Sequence, residues 1–269
     1  MTGCPLEFDP PSRSVDPDGA SRTIGAATAG AAMGHDDWMR AADEEYRRLL
    51  DLLGDLDADQ WALPTDCTGW DVRAMVAHLA GGAAWAARLR EMMRQAWQGR
   101  GRLPGADMVD GMNEVQLRER ADRTPIELLE EIADVGPRAV RARARLPRPV
   151  RALPVPFGPP LGTQPLGYLY DRILTRDEWL HRIDICRALG QRPQLTADHD
   201  ARLVEDVVIE WAQLHGQPFE LALTGPAGGR WHRSTGAGGE RLELDAVEFC
   251  RTLSGRTPGT GLLATRVNF

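Results

Sequence analysis

Residues 164–190 read QPLGYLYDRILTRDEWLHRIDICRALG, with no proline after Pro165 and a glycine at the end, as a long helix requires. On that helix Leu166, Leu169, Ile173, Asp177, His181 and Ile185 trace one face at steps of three and four. Two polar groups therefore interrupt an apolar stripe. A carboxylate turned into a core is costly unless something compensates its charge. A cation held jointly by Asp177 and His181 would do so, because residues four apart stack on one helix face roughly 6 Å apart at Cβ. The plainer reading of such a pair is a side-chain contact or a buried hydrogen bond, and the spacing alone leaves both open.

Residues 36–56, DDWMRAADEEYRRLLDLLGDL, place Trp38, Ala42, Tyr46, Leu49, Leu50 and Leu53 at helical spacing, and Gly54 suits the end of a first amphipathic helix from about Asp37. A second helix is expected from about Asp71, with Thr68 as its cap and Asp71 answering three residues later. Its stripe is Val72, Met75, Val76, Leu79 and Trp85, and His78 breaks it as Asp177 and His181 break theirs. Three such exceptions from two helices can converge in a bundle core. Two imidazoles and a carboxylate are a ligand set for a divalent first-row metal that leaves positions open.

A weaker helix is expected over about 107–122, and Pro125 opens a stronger one through Ile126, Leu129, Ile132, Val135 and Val140. Residues 146–165, LPRPVRALPVPFGPPLGTQP, are too rich in Pro and Gly for a helix interior and read as a long loop tied to function. After Pro193 come a helix at 197–214, the alternating runs FELALT, RWHRST and ERLEL, a short helix DAVEFCRTL and a last strand LLATRV. The expected organisation is a leader over 1–36, a helical bundle over 37–192 and a small α+β domain over 193–269. The leader is rich in Gly, Ala, Ser, Asp and Pro and reads as disordered, with Met33 an alternative start.

Composition narrows the function. The chain has 269 residues, 42% hydrophobic, enough to bury a core, and a formal charge of −7 with no dense basic cluster, which argues against nucleic acid. No lysine occurs, so a catalytic lysine is excluded. Cys4, Cys67, Cys186 and Cys250 form no CxxC pair and suggest a reducing cytoplasm. Neither a secretory signal nor an apolar run of membrane-spanning length is present. Cys67 and Cys186 read as core thiols, and His35, His199, His215 and His232 as surface residues. Trp61, Trp70, Trp85 and Trp179 are core candidates, with Trp179 able to border a pocket. Asp184, one turn beyond His181, suits either a ligand-orienting role or an ion pair with Arg73 or Arg187.

The stretch DCTGWDVRAMVAHLAG at 66–81 resembles a signature of the mycothiol-dependent maleylpyruvate isomerase family, a branch of the DinB-like up-and-down four-helix bundles. TRDEWLHRIDICRALG at 175–190 resembles its second signature, a carboxylate four positions before a histidine. LALTGPAGGRW and DAVEFCRTLSGR are similar to the family's C-terminal domain, so the resemblance runs from 37 to 269. It implies a zinc-type centre with ligands His78, Asp177 and His181. Some members carry Glu where Asp177 stands, which leaves the metal's identity less secure than its site. The family also uses a C-terminal arginine, and Arg256 occupies the matching motif; a surface ion pair is its alternative.

The cosubstrate so implied is mycothiol, and its partner a small electrophile such as an activated alkene. A thiol with a pKa of about 8.5 is mostly protonated at neutral pH, and coordination to a dication favours the thiolate. The 146–165 loop and the C-terminal domain are expected to form the mouth, and Arg256 to fork a substrate carboxylate as the catalytic arginine. Isomerisation and S-transfer both remain open. The competing classes are a metal- or ligand-binding regulatory bundle and a metal-free stability protein in which Asp177 and His181 pair with arginines.

Overall fold

The computed structural model describes residues 21–24, 33–100, 108–158, 161–234 and 238–269. Its helices are α1 (His35–Gly54), α2 (Val72–Ala87), α3 (Leu89–Gly99), α4 (Met108–Glu119), α5 (Pro125–Ala144), α6 (Arg148–Arg151), α7 (Leu174–Ala188), α8 (Asp200–His215) and α9 (Ala246–Ser254). Four of them form the bundle. Their contacts run round a ring in the order α1, α5, α2, α7, while α3 and α4 pair with each other and lean on α2. None of the helices among the described residues is long and apolar enough to cross a membrane.

Local chemistry sets these elements. Thr124 caps α5 through a capping box with Glu127, and Pro125 sits in the first turn where its missing N–H costs nothing. Helix α2 is capped by Asp71, whose carboxylate accepts from the Ala74 N–H at 2.7 Å, and not by Thr68. The reason is Gly69, whose φ of +82° reverses the chain between the two and delays the helix to Val72. Val72, Met75, Val76 and Leu79 are buried on α2, each adding about 1.5–3 kcal/mol of burial.

Helix α7 departs from the amphipathic expectation. Thr175 to Cys186 are buried all round apart from Asp177, because α1, α2 and the C-terminal elements enclose this helix. Its charges are matched one by one: Arg176 with Asp206 and Glu210, Arg182 with Glu45 and Asp200, and Asp184 with Arg256. Just before it, Tyr168–Ile173 is a π-helical turn, whose extra residue rotates Leu166 and Leu169 off the face that carries Asp177 and His181.

The segment read as a loop holds α6 and a hairpin, β2 (Pro154–Gly158) with β3 (Gly162–Pro165). A second, four-stranded sheet has the order β1 (Arg22–Thr23), β5 (Gly229–Arg233), β4 (Phe219–Thr224), β6 (Glu240–Asp245), with β4 and β5 antiparallel and the other two pairs parallel. Helix α9 packs on α8, β4 and β6, and Trp211, Phe219 and Phe249 make its aromatic core with ring centroids 4.8 and 5.4 Å apart.

Two expectations are corrected here. Residues 21–24 of the leader are ordered: Arg22 and Thr23 pair with β5 and Ile24 is buried, while 1–20 and 25–32 lie outside the described residues. LLATRV is no strand. Gly261–Ala264 is a 3-10 turn, and Leu262 and Val267 are buried at either end of the run, the latter bonded through its N–H to the Leu253 carbonyl.

Candidate metal centre

Helix α2 presents His78 and α7 presents Asp177 and His181 to one point. His78 Nε2 lies 3.4 Å from Asp177 Oδ2, and His181 Nε2 lies 3.2 Å from Asp177 Oδ1. The two imidazoles meet edge to face with centroids 5.2 Å apart. Bonds of about 2.0–2.1 Å to a tetrahedral cation would separate neighbouring ligand atoms by roughly 3.3 Å, so these spacings suit a shared ion. Trp70, brought round by the Gly69 turn, stands over both rings at 5.0 and 6.1 Å. Asp177 is the open side, its side chain 29% exposed against 10% for His78 and 7% for His181.

Three groups of side chains among the described residues have metal-ligand spacing: His78, Asp177 and His181; Cys67, His181 and Asp184; and Glu45, His199 and Asp200. Charge separates them. In the second, the Arg256 guanidinium already binds Asp184 at 2.5–2.9 Å and lies 3.8 Å from the Cys67 sulfur. In the third, Arg182 binds Glu45 and Asp200, and Arg48 binds Asp200 at 2.8 Å. In the first, Asp177 pairs only with the two imidazoles among the described residues. A donor set rich in lone pairs whose carboxylate is not held by an arginine fits a divalent cation.

Electrostatics agree. Burial works against the charge of Asp177, yet the His181 charge and hydrogen bonds with both imidazoles hold its carboxyl well below the usual carboxylate range. Burial likewise disfavours charge on His181, but Asp177 and then Asp184 raise its pKa well above the ordinary histidine value. The protein alone thus balances Asp177 with a proton on His181, and a metal ion bound there would compete for that place.

Each candidate imidazole is held from behind. His181 Nδ1 lies 3.2 Å from Asp184 Oδ2, and His78 Nδ1 lies 2.8 Å from Gln116 Oε1. An acceptor at Nδ1 leaves the Nε2 lone pair for the centre. Asp184 therefore orients the His181 ring. Its ion pairs are with Arg256 and Arg251 and not with Arg73 or Arg187, which bind the Ala121 and Arg123 carbonyls and the Asp66 and Glu248 carboxylates. Arg256 is not a surface residue: its side chain is 13% exposed and its Nη2 sits 3.4 Å from His181 Nδ1.

Several residues lie elsewhere than expected. Cys186 is buried and burial raises its pKa, as a core thiol should, but half-buried Cys67 stands 4.0 Å from His181 Nδ1 at the rim of the centre. His199 is bound to buried Glu45, His35 reaches Asp171 at 3.1 Å, and none of the four remaining histidines is fully exposed. Trp179 is fully buried with its indole N–H on Asp200, away from the centre. The hairpin, α6 and the π-turn line a separate cavity of about 460 Å³ that includes none of the three ligand candidates.

The family model of the mycothiol maleylpyruvate isomerase N-terminal domain matches residues 42–186, over half of the chain and all three candidate ligands. The chain belongs to this family. Two uncharacterised proteins of Mycobacterium tuberculosis, one from strain CDC 1551 / Oshkosh and one from strain ATCC 25618 / H37Rv, are each 26% identical over 213 residues, 74% of this chain and 77% of theirs. Crystal structures of a mycothiol-dependent maleylpyruvate isomerase and of its histidine-to-alanine mutant share the fold. Each has a TM-score of 0.55 over 84% of this chain and 90% of its own, at 17% and 16% identity. Family membership thus covers the bundle, and the fold likeness extends beyond it.

Proposed function

We propose that this member of the family is a mycothiol-dependent metalloenzyme, with His78, Asp177 and His181 holding a divalent cation, zinc first. The observation that carries the reading is a carboxylate set 3.2 and 3.4 Å from two imidazoles, with no arginine in ion-pair contact with it among the described residues. A cation bound there stabilises the thiolate of a thiol whose free pKa is about 8.5, making the nucleophile at neutral pH.

The chain's own groups do the rest. Asp184 and Gln116 fix the imidazole orientations, and Trp70 walls one side, so a thiol enters past the exposed edge of Asp177. Arg256 enters as a positioning residue: its Nε and Nη2 edge grips Asp184, and a substrate carboxylate would compete with Asp184 for that edge. Addition of the thiolate to an electrophilic double bond, rotation and elimination isomerises a cis alkene; addition without elimination is S-transfer. The family name puts maleylpyruvate-type isomerisation first. The absence of any CxxC pair is in keeping with a reducing compartment.

The test is to load purified protein with one equivalent of zinc and supply mycothiol with maleylpyruvate and with a panel of activated alkenes. Isomerisation at catalytic mycothiol, or stoichiometric loss of the thiol, is expected, and a chelator should return both to the uncatalysed rate. Zinc-loaded protein no faster than buffer on every electrophile would leave a binding bundle in place of an enzyme.

A further inference from the structure

Behind His78, Gln116 is only the first link of a buried chain of amides, and the links beyond it are not used by the mechanism above. His78 Nδ1 meets Gln116 Oε1 at 2.8 Å, Gln116 Nε2 donates to Gln95 Oε1 at 2.9 Å, and Gln95 Nε2 donates to Glu91 Oε1 at 2.9 Å and to the Gly81 carbonyl at 3.1 Å. The chain threads α3, α4 and α2, with Gln95 at 0% and Gln116 at 5% exposure. Gly81 makes the room: a Cβ there would lie 2.5 Å from Gln116 Cγ. Two glutamines buried this deeply are costly unless every polar group is paired, and here they pair each other.

The relay has a direction. An ionised carboxylate can only accept, and Glu91 is kept ionised, first by its hydrogen bonds with Arg94, which hold its pKa at about 2. Gln95 must therefore donate to Glu91, which turns its oxygen toward Gln116. Gln116 must donate to that oxygen, which turns its own oxygen toward His78. His78 must then carry a proton on Nδ1, and in the neutral imidazole this bares Nε2 toward Asp177 and His181. The competing arrangement, a proton on Nε2 shared with Asp177, would block the centre.

We propose that Glu91, Gln95 and Gln116 are positioning residues that impose the ligand tautomer of His78 before any metal arrives. The proposal rests on His78 serving the centre described above. It also distinguishes the two imidazoles: His181 is backed by a carboxylate gripped by arginine, His78 by a neutral amide, so His78 is the weaker donor.

The test uses full-length protein labelled with ¹⁵N-histidine, read by multiple-bond ¹H–¹⁵N spectra without metal at a pH about two units above the free imidazole value of 6.5. Wild type is expected to show His78 protonated on Nδ1. Gln116→Met, which keeps the length and removes the amide oxygen and nitrogen together, is expected to move the proton to Nε2 and weaken zinc binding about 10- to 100-fold. Glu91→Gln, which lets the far end donate as well as accept, is expected to populate both tautomers, and it decides the matter should Gln116→Met not fold. A His78 tautomer unchanged in these variants, or already on Nε2 in wild type, overturns the proposal. A tautomer that switches in protein unable to bind zinc would uphold the relay and sink the metal reading instead.

Discussion

Replacing His181 with alanine is expected to abolish stoichiometric metal binding, weakening it by more than the roughly 100-fold that an outer partner is worth, while the fold survives. His181 Nε2 is one of the three proposed donors, and the two left come from different helices with no second imidazole to share the ion. The outer groups cannot substitute, since Asp184 stays bound to Arg256 and Arg251. Because these pairs persist, helical circular dichroism should be unchanged while metal content by mass spectrometry falls from one equivalent toward none. Thiol-dependent turnover should fall to background with it. Full metal content in both His181→Ala and His78→Ala would place the ion elsewhere.

Asp184→Ala is expected to damage stability and metal affinity together. The carboxylate is fully buried and accepts from Arg256 at 2.8, 2.9 and 2.5 Å, with Arg251 at 3.5 Å and His181 at 3.2 Å. Arg251 keeps Asp66 and Glu248 when Asp184 is removed, but Arg256 keeps no carboxylate among the described residues. Breaking such a pair from one side costs about 3–5 kcal/mol, read as a lower denaturant midpoint at unchanged slope. Loss of the acceptor behind His181 should add a 10- to 100-fold loss of metal affinity, about the effect of removing an outer partner. Asp184→Asn, which keeps an acceptor without the charge, should fall between.

The pH dependence follows from the sign of the shift. Burial raises the pKa of Asp184, but hydrogen bonds with His181 and Arg256 and the Arg256 charge bring it below the ordinary value of 3.8. A depressed folded pKa contributes stability that is complete above a pH of about 4 and is lost as pH falls toward the folded value. The gap between wild type and Asp184→Ala should therefore be constant near neutrality and narrow in acid. A gap that widened in acid would show that the carboxylate is not the stabilising form.

Much of this centre is legible in sequence because burial is written there as a violation. His78, Asp177 and His181 stand out as polar residues among apolar ones, and the helices that carry them are legible even though α7 is buried on nearly every side. What escapes is whatever depends on partners distant in the chain. Helix α3 was hidden because Leu89, Met93 and Trp97, at steps of four, face outward, so its stripe marks no core. Gln95 and Gln116 look like ordinary surface residues until α3 and α4 fold against α2 and bury them. Trp70 sits in plain view beside Asp71, but only the positive φ of Gly69 turns it over the imidazoles. The π-turn before α7 escaped for a related reason: one inserted residue changes the phase without changing the composition.

The account stands or falls on which atoms surround the ion, and X-ray absorption at the zinc edge of protein loaded with one equivalent reads them directly. Two imidazole nitrogens and a carboxylate oxygen at about 2.0–2.2 Å are expected, with no sulfur from the protein. A sulfur shell at about 2.3 Å before any thiol is added would assign the ion to Cys67, His181 and Asp184, displace Arg256, and contradict the centre proposed here.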